Sequence, residues 1–203
     1  LTEGNQAYNS KNYDVAVVKF EEGYQASPDF VGSAPVLLNN KGAALRSRAV
    51  ITYNENVKAT DVTAKVAAMT KVKQDLADAV ESYSKSWAVI KSAPAADVTD
   101  PKALEATKLE TLRGAKETLR LMAATEQVDT TKTDMAKTLI AEYIVLETEQ
   151  PKKVEGQRIL GDIYRVVGDS DNAIVEYKKV LEIEPNDPDA LAGLGLSLVN
   201  LGY

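Results

Sequence analysis

The C-terminal part of the chain repeats itself after 34 residues. The dipeptide Leu160-Gly161 begins a stretch that reads LGDIYRVVGDSDNAIVEYKKVLEIEP, and the same dipeptide returns at Leu194-Gly195. A period of this length is typical of proteins built from stacked helix-turn-helix units, because one such unit is too small to bury its apolar face alone. The repeat therefore predicts a solenoid of paired helices rather than a single closed domain core.

The residues within this period follow a recognisable pattern. The pattern L-G-x2-Y, A-x3-F and P is filled by Leu160, Gly161, Tyr164, Ala173, Tyr177 and Pro185. The chain therefore resembles the tetratricopeptide repeat (TPR) family. The resemblance implies an all-α fold, a right-handed TPR-like solenoid of antiparallel helix pairs. It also implies a concave groove lined by the first helix of each pair.

The N-terminal end of the chain carries the same pattern. Gly4, Tyr13, Ala16, Phe20 and Pro28 occupy the glycine, turn-aromatic, small, aromatic and proline positions. We expect a single solenoid over 1–203, and its predicted parts follow in chain order. They are repeat 1 at 1–30, repeat 2 at 35–93, a divergent repeat 3 at 101–149, repeat 4 at 151–187, and a half repeat or capping helix at 188–203.

The middle repeats are predicted to have elongated helices. Apolar residues recur every three or four positions from Val62 to Ile90, which indicates one amphipathic helix about 45 Å long. This apolar stripe can pack on the first helix of its own pair, form a small bundle with repeat 3, or form a dimer interface. We favour packing within the chain, because an exposed apolar edge tends to aggregate.

Composition excludes several kinds of site. The 203 residues contain no Cys and no His, so disulfides, zinc-thiolate sites, catalytic thiols and Ser-His triads are impossible. A net charge of −6 with both signs interspersed argues against nucleic acid as a partner. No apolar run reaches the ~18 residues of a membrane span. We expect no enzyme activity, no cofactor and no metal site.

The residues leave the compartment open between the cytoplasm and an exported, periplasmic location. The chain begins at Leu1 rather than Met, which we interpret as a fragment or a mature form of a longer protein. The lack of Cys is compatible with export.

The TPR resemblance also points to residues of the groove. One TPR subclass uses Asn, Lys and Arg side chains to hold the C-terminal carboxylates of chaperone tails. Asn5 and Asn40 match the Asn positions of that clamp, and Lys108 matches a Lys position if Gly114 is the repeat glycine of repeat 3. Leu1 and Leu112 stand where the clamp needs Lys and Arg, so binding of chaperone tails is disfavoured. The predicted groove residues are Asn5, Tyr8, Asn40, Arg46, Lys108, Arg158 and Arg165.

The resemblance predicts a non-catalytic scaffold that binds a peptide or helix of a partner protein in the groove. The alternative is a structural or assembly protein, a homo-oligomer that associates through the elongated middle helices or the open C-terminal repeat. Exposed Arg and Tyr are common anchors at interfaces, although they are equally common as solvated side chains.

Overall fold

A computed structural model describes all 203 residues, and its secondary structure is helical throughout. No strand is present. The nine α-helices are α1 Thr2–Asn9, α2 Tyr13–Ala26, α3 Ala34–Asn56, α4 Val62–Ser92, α5 Pro101–Thr125, α6 Thr133–Leu146, α7 Gln150–Val166, α8 Ser170–Ile183 and α9 Pro188–Asn200. Two short 3-10 turns, Ala95–Asp97 and Thr130–Lys132, precede α5 and α6. The predicted all-α, TPR-like helical repeat fold is confirmed.

The helices form two layers. Each helix packs on the next one along the chain, and contacts also join α3 to α5, α5 to α7 and α7 to α9. The first helices of successive pairs therefore lie side by side in one layer, which is the layer that lines the groove in TPR solenoids.

Side-chain caps define where several of these helices begin. Asp61 accepts a hydrogen bond from the backbone N–H of Ala64 at 2.8 Å, and Asp187 accepts one from Ala190 at 2.7 Å. Asp100 caps α5 in the same way. Each carboxylate satisfies a backbone donor that has no partner within the helix, and such a cap stabilises a helix by about 1 kcal/mol.

The middle pair is elongated, as the apolar stripe predicts. Helices α3 and α4 contain 23 and 31 residues, against 14 in α8. The stripe is buried within the chain from Val72 to Ile90 and includes Trp87. Val62 and Val66, however, remain 74% and 61% exposed. Intramolecular packing thus covers most of the stripe but leaves the first turns of α4 in solvent.

The core is divided into one large and two small clusters. The large cluster has 22 buried residues contributed by α3 to α7. A cluster of 5 buried residues joins α7, α8 and α9, and one of 4 joins α2 and α3. This division is expected of a solenoid, in which each unit contacts only its neighbours.

At two places in the solenoid, a single tyrosine ring fills the space between stacked helices. Tyr83 lies between Gly42 of its own pair and Gly114 of the next, where an added Cβ would come within 2.7 Å and 2.5 Å of the ring. Tyr177 lies in the same way between Gly161 and Gly193. Gly114 therefore corresponds in its packing to Gly193 and not to Gly161, which corrects the register assumed for repeat 3.

Candidate binding groove

The N-terminal end of the groove layer brings two predicted residues together. The side-chain amide of Asn40, on α3, donates a hydrogen bond to Asn5 Oδ1, on α1, at 3.3 Å in an exposed setting. Tyr8 lies one turn further along α1, where its hydroxyl contacts Ser47 Oγ at 3.2 Å. Its ring meets Tyr13 edge to face at 5.3 Å between centroids.

The largest open cleft, about 490 Å³, lies between α3 and α5. We call it the α3–α5 cleft. Its polar lining comes from Asn39, Asn40, Arg46, Glu110, Arg113 and Glu117, and Tyr83 reaches it from α4 below. Two arginines face two glutamates, so the formal charges of the lining are balanced.

Arg46 lies at the floor of this cleft. Its Nη1 donates to the carbonyl oxygen of Gly114 at 2.9 Å and lies 3.5 Å from the Tyr83 hydroxyl. Burial raises the pKa of Tyr83 to about 12 although the Arg46 charge opposes this, so the hydroxyl stays neutral. Arg46 thus links α3 to α5 at the place where the Tyr83 ring separates Gly42 from Gly114.

Arg113 connects the rim of the cleft to a buried carboxylate. Its guanidinium donates to Glu147 Oε2 at 3.2 Å, and Glu147 Oε1 accepts backbone N–H groups of Thr148 and Glu149 at 2.9 and 3.2 Å. Burial alone would raise the pKa of Glu147, but these backbone donors and Arg113 lower it to about 2. Glu147 therefore joins α5 to the connection between α6 and α7.

A second cleft, about 350 Å³, lies between α5, α7 and α9. We call it the α5–α7–α9 cleft. Arg158 contacts the carboxylate of Asp189 closely and lies 3.5 Å from Asp187 Oδ2. Asp162 accepts a hydrogen bond from the Tyr177 hydroxyl at 2.7 Å. Burial raises the pKa of Asp162, although this bond and the nearby arginines lower it.

All seven predicted groove residues lie on first helices, and six of them line a cleft or contact the neighbouring first helix. Asn40 and Arg46 line the α3–α5 cleft, and Arg158 and Arg165 line the α5–α7–α9 cleft. Asn5 and Tyr8 lie on α1, against α3.

Lys108 lines neither cleft, and its ammonium pairs with Glu105 at 2.6 Å. Leu109 and Glu110 line the α3–α5 cleft at this level. Gly193 precedes the repeat glycine Gly195 by two residues, so the corrected register of Gly114 moves the expected Lys position from Lys108 to Glu110.

Several residues that line the two clefts were not among the predicted groove residues. Asn39, Glu110, Arg113 and Glu117 line the α3–α5 cleft, and Arg120, Asp162 and Asp189 line the α5–α7–α9 cleft. A usable signal was present in α5, where Arg113 and Arg120 are seven residues apart and so share one helix face. Asp162 and Asp189 gave no signal, because only packing brings α7 and α9 together.

No group of three or more side chains of the metal-binding types lies close enough to hold an ion. None of the nine α-helices combines the length and the apolarity that crossing a membrane requires.

Comparison with known proteins agrees with the repeat found in the sequence. A family model described as a TPR repeat matches residues 161–202. A comparison with proteins of curated function finds no match. The matched segment contains the turn after α7, all of α8 and all of α9. The match shows a TPR repeat at residues 161–202, and the stacked helix pairs of the remaining chain support its resemblance to the tetratricopeptide repeat family.

Proposed function

We propose that the protein is a non-catalytic scaffold that binds a segment of a partner protein along its groove layer. TPR repeats generally mediate protein–protein interaction. The observation that carries the proposal is the succession of two clefts with charged side chains in their lining on the same layer, one between α3 and α5 and the other between α5, α7 and α9.

The lining of the α3–α5 cleft suits an extended segment. The Asn5–Asn40 contact lies at the surface, with Asn5 exposed and Asn40 half-buried, so the two amide groups can exchange it for the backbone groups of a ligand. Arg46 and Arg113 supply further donors, and Ala43, Ala106 and Leu109 provide apolar surface between them. A few polar groups set in apolar surface fix the orientation of a bound ligand.

Panning of a displayed library of random peptides tests this proposal. Bound peptides are then titrated into the 15N-labelled protein, and we expect amide shifts on α3, α5, α7 and α9. Asn40→Ala should weaken binding. Asn54→Ala is its matched control, because Asn54 is an exposed asparagine of the same helix outside the clefts. Peptides whose shifts map to α8, and whose affinity ignores Asn40→Ala, would contradict the proposal.

Self-association is the second candidate function, and one observation favours it. The face of α9 that carries Gly195 exposes Leu191 and Val199, which lie four residues before and after it. A Cβ added to Gly195 would meet nothing within 4 Å, whereas Gly161 is covered by Tyr177. The face of α9 that corresponds to a buried face of α7 is therefore open.

Light scattering over a hundredfold concentration range tests this second candidate. Association through α9 predicts a mass that rises with concentration and that Val199→Lys returns to the monomer value. A constant 21.9 kDa for the unaltered chain would rule it out.

A further inference from the structure

We infer that the α5–α7–α9 cleft binds acidic side chains from within a partner segment, and that Asp189 holds their place in the free protein. The inference rests on the proposed function and names the partner chemistry of one part of the groove. The carboxylates concerned belong to Asp or Glu side chains that are flanked by apolar residues.

The charge of this cleft differs from that of the chain. The protein has 24 basic and 30 acidic residues, yet Arg120, Arg158 and Arg165 all line this one cleft. The acidic lining consists of Asp162 and Asp189. Arg120 also pairs with Glu117 at 3.1 Å and Arg158 lies 3.5 Å from Asp187, which leaves Arg165 as the arginine of this cleft without an ion pair.

Arg165 has a donor that nothing in the chain satisfies. Its Nε is buried and has no hydrogen-bond partner, although Arg165 is one of the residues that line the cleft. A buried donor without an acceptor is unfavourable, so an incoming acceptor gains more here than at a hydrated side chain. The planar fork of an arginine matches the two oxygens of a carboxylate, which makes a carboxylate the fitting acceptor.

Asp189 shows which kind of carboxylate the cleft accepts. It pairs with Arg158 from the first turn of α9, and its own side chain remains 71% exposed. Ion pairs with so much solvent contact are weak, so a ligand can displace this one. Asp187, in contrast, caps α9 and stays in place. A side-chain carboxylate therefore already occupies the position that we assign to the ligand.

The apolar part of the lining completes the ligand description. Ile159 and Leu196 lie beside the arginines, and Ala192 leaves room between them. Leu196 is 54% exposed and is available to cover an apolar ligand residue. The α3–α5 cleft, with its balanced charges, has no such preference for an acid. We therefore expect the acidic residues of a bound segment to lie over α7 and α9.

Two blocked peptides, acetylated at the N-terminus and amidated at the C-terminus, test the inference. One contains Leu-Glu-Glu-Leu and the other Leu-Gln-Gln-Leu. Binding is followed on the 15N-labelled full chain through backbone amides and through the Nε–H signals of the arginines. We expect the acidic peptide to move the Arg165 Nε–H signal downfield, and to bind more weakly as ionic strength rises. The amide peptide should bind roughly tenfold more weakly.

Substitutions at Asp189 and at Arg165 should change the affinity for the acidic peptide in opposite directions. Asp189→Asn should tighten binding of the acidic peptide by roughly fivefold, because Arg158 loses the closer of its two acidic neighbours and keeps only Asp187 at 3.5 Å. Asp171→Asn is the matched control, since Asp171 lies in the first turn of α8 and has no ion pair. Arg165→Gln should weaken binding roughly tenfold, and Arg165→Lys should also weaken it, because lysine keeps the charge but lacks the planar fork. Lys58→Gln, at the tip of the α3–α4 hairpin, is the control for net charge and should leave affinity unchanged.

Other results would overturn the inference. Equal affinity for the two peptides, or no tightening by Asp189→Asn, would remove the acidic preference. Stronger binding of the same acidic sequence with a free C-terminal carboxylate would assign the cleft to chain ends instead of side chains. If panned peptides bind the α3–α5 cleft but show no acidic preference over α7 and α9, the proposed function stands and this inference fails. If no peptide shifts either cleft, both fail.

Discussion

At two places in the molecule a tyrosine ring lies between two glycines of stacked helices, an arrangement that we call an aromatic joint. The two regions that contain it have helices that differ in length by about a factor of two. Tyr83 separates Gly42 from Gly114 in the elongated middle, and Tyr177 separates Gly161 from Gly193 at the C-terminal end. Helix α4, which carries Tyr83, has 31 residues, whereas α8, which carries Tyr177, has 14. The distance between stacked helices is thus set by one ring against two glycines, whatever the length of the helices.

The two joints differ in what lies around the ring. The Tyr177 hydroxyl donates to Asp162 at 2.7 Å, whereas the Tyr83 hydroxyl faces the guanidinium of Arg46 at 3.5 Å. The Tyr83 joint belongs to the core cluster of 22 residues and the Tyr177 joint to the cluster of 5. The same packing device therefore lies under two clefts of different charge and in cores of very different size.

The largest effect should come from removing the rings. We expect Tyr83→Ala to lower the free energy of unfolding by about 4 kcal/mol, because it leaves a cavity in the large core. Tyr177→Ala should instead open α8 and α9 locally, because few other buried contacts hold them. Chemical denaturation and amide hydrogen exchange, measured on both variants, separate global from local loss. Equal global losses would mean that core size does not distinguish the joints.

The second largest difference in stability between the two regions should come from breaking an ion pair in each. Asp75 is almost fully buried in α4 and receives two hydrogen bonds from Arg48, at 2.7 and 2.9 Å. Asp75→Ala leaves that guanidinium partly buried with only Asp14, so we expect a loss of about 3 kcal/mol. The exposed Arg158–Asp189 pair of the C-terminal region should contribute less than about 1 kcal/mol, measured as Asp189→Asn in urea denaturation. A loss above that value would show that the C-terminal pair is also structural.

Adding a methyl group at the joints should have a smaller effect. An added Cβ at Gly114 would come within 2.5 Å of the Tyr83 ring, so Gly114→Ala should cost about 1–3 kcal/mol through overpacking. Gly195→Ala is the control, because no atom lies within 4 Å of its added Cβ. Helix propensity should make that variant up to about 1 kcal/mol more stable. Thermal melts of both variants test the pair, and a stabilised Gly114→Ala would mean that the ring is free to move.

Acid should weaken the junction between the two regions. The folded-state pKa of Glu147 is about 2, below its ordinary value of 4.5. Its contribution is therefore fully present above pH 4.5 and is lost as the pH falls from 4.5 towards 2. Glu147→Gln should flatten the pH dependence of the urea midpoint in this window, whereas Asp134→Asn, at a fully exposed position, should not. Identical slopes for the two variants would exclude Glu147 as the sensitive group.

Local signals explain why much of the architecture could be predicted. Helix α2 ends two residues before Pro28 and α5 begins at Asp100-Pro101, and both are signals that the local sequence carries. The elongation of α4 followed from its apolar period. The exposure of Val62 and Val66 did not, because period shows which face of a helix is apolar but not how far a neighbouring helix extends to cover it.

The groove residues also differ in whether local sequence or packing sets their positions. Asn40, Arg46, Arg158 and Arg165 follow from the repeat pattern, because their positions on a first helix are set by spacing from a nearby glycine. Lys108 was placed by Gly114, whose role depends on which ring it meets. That ring belongs to the preceding pair, and no local pattern in α5 records it.

The sequence by itself determined the helical pairs, their order and the absence of thiol and imidazole chemistry, since these depend on period, caps and composition. The tertiary structure alone decided which glycines share a ring, which arginines share a cleft and which acid faces them. Those relations join residues up to 72 positions apart, such as the buried hydrogen bond from Asn39 to Thr111. They arise because stacking fixes the rotation of each helix against its neighbour, and that rotation is a property of the packed pair rather than of either helix.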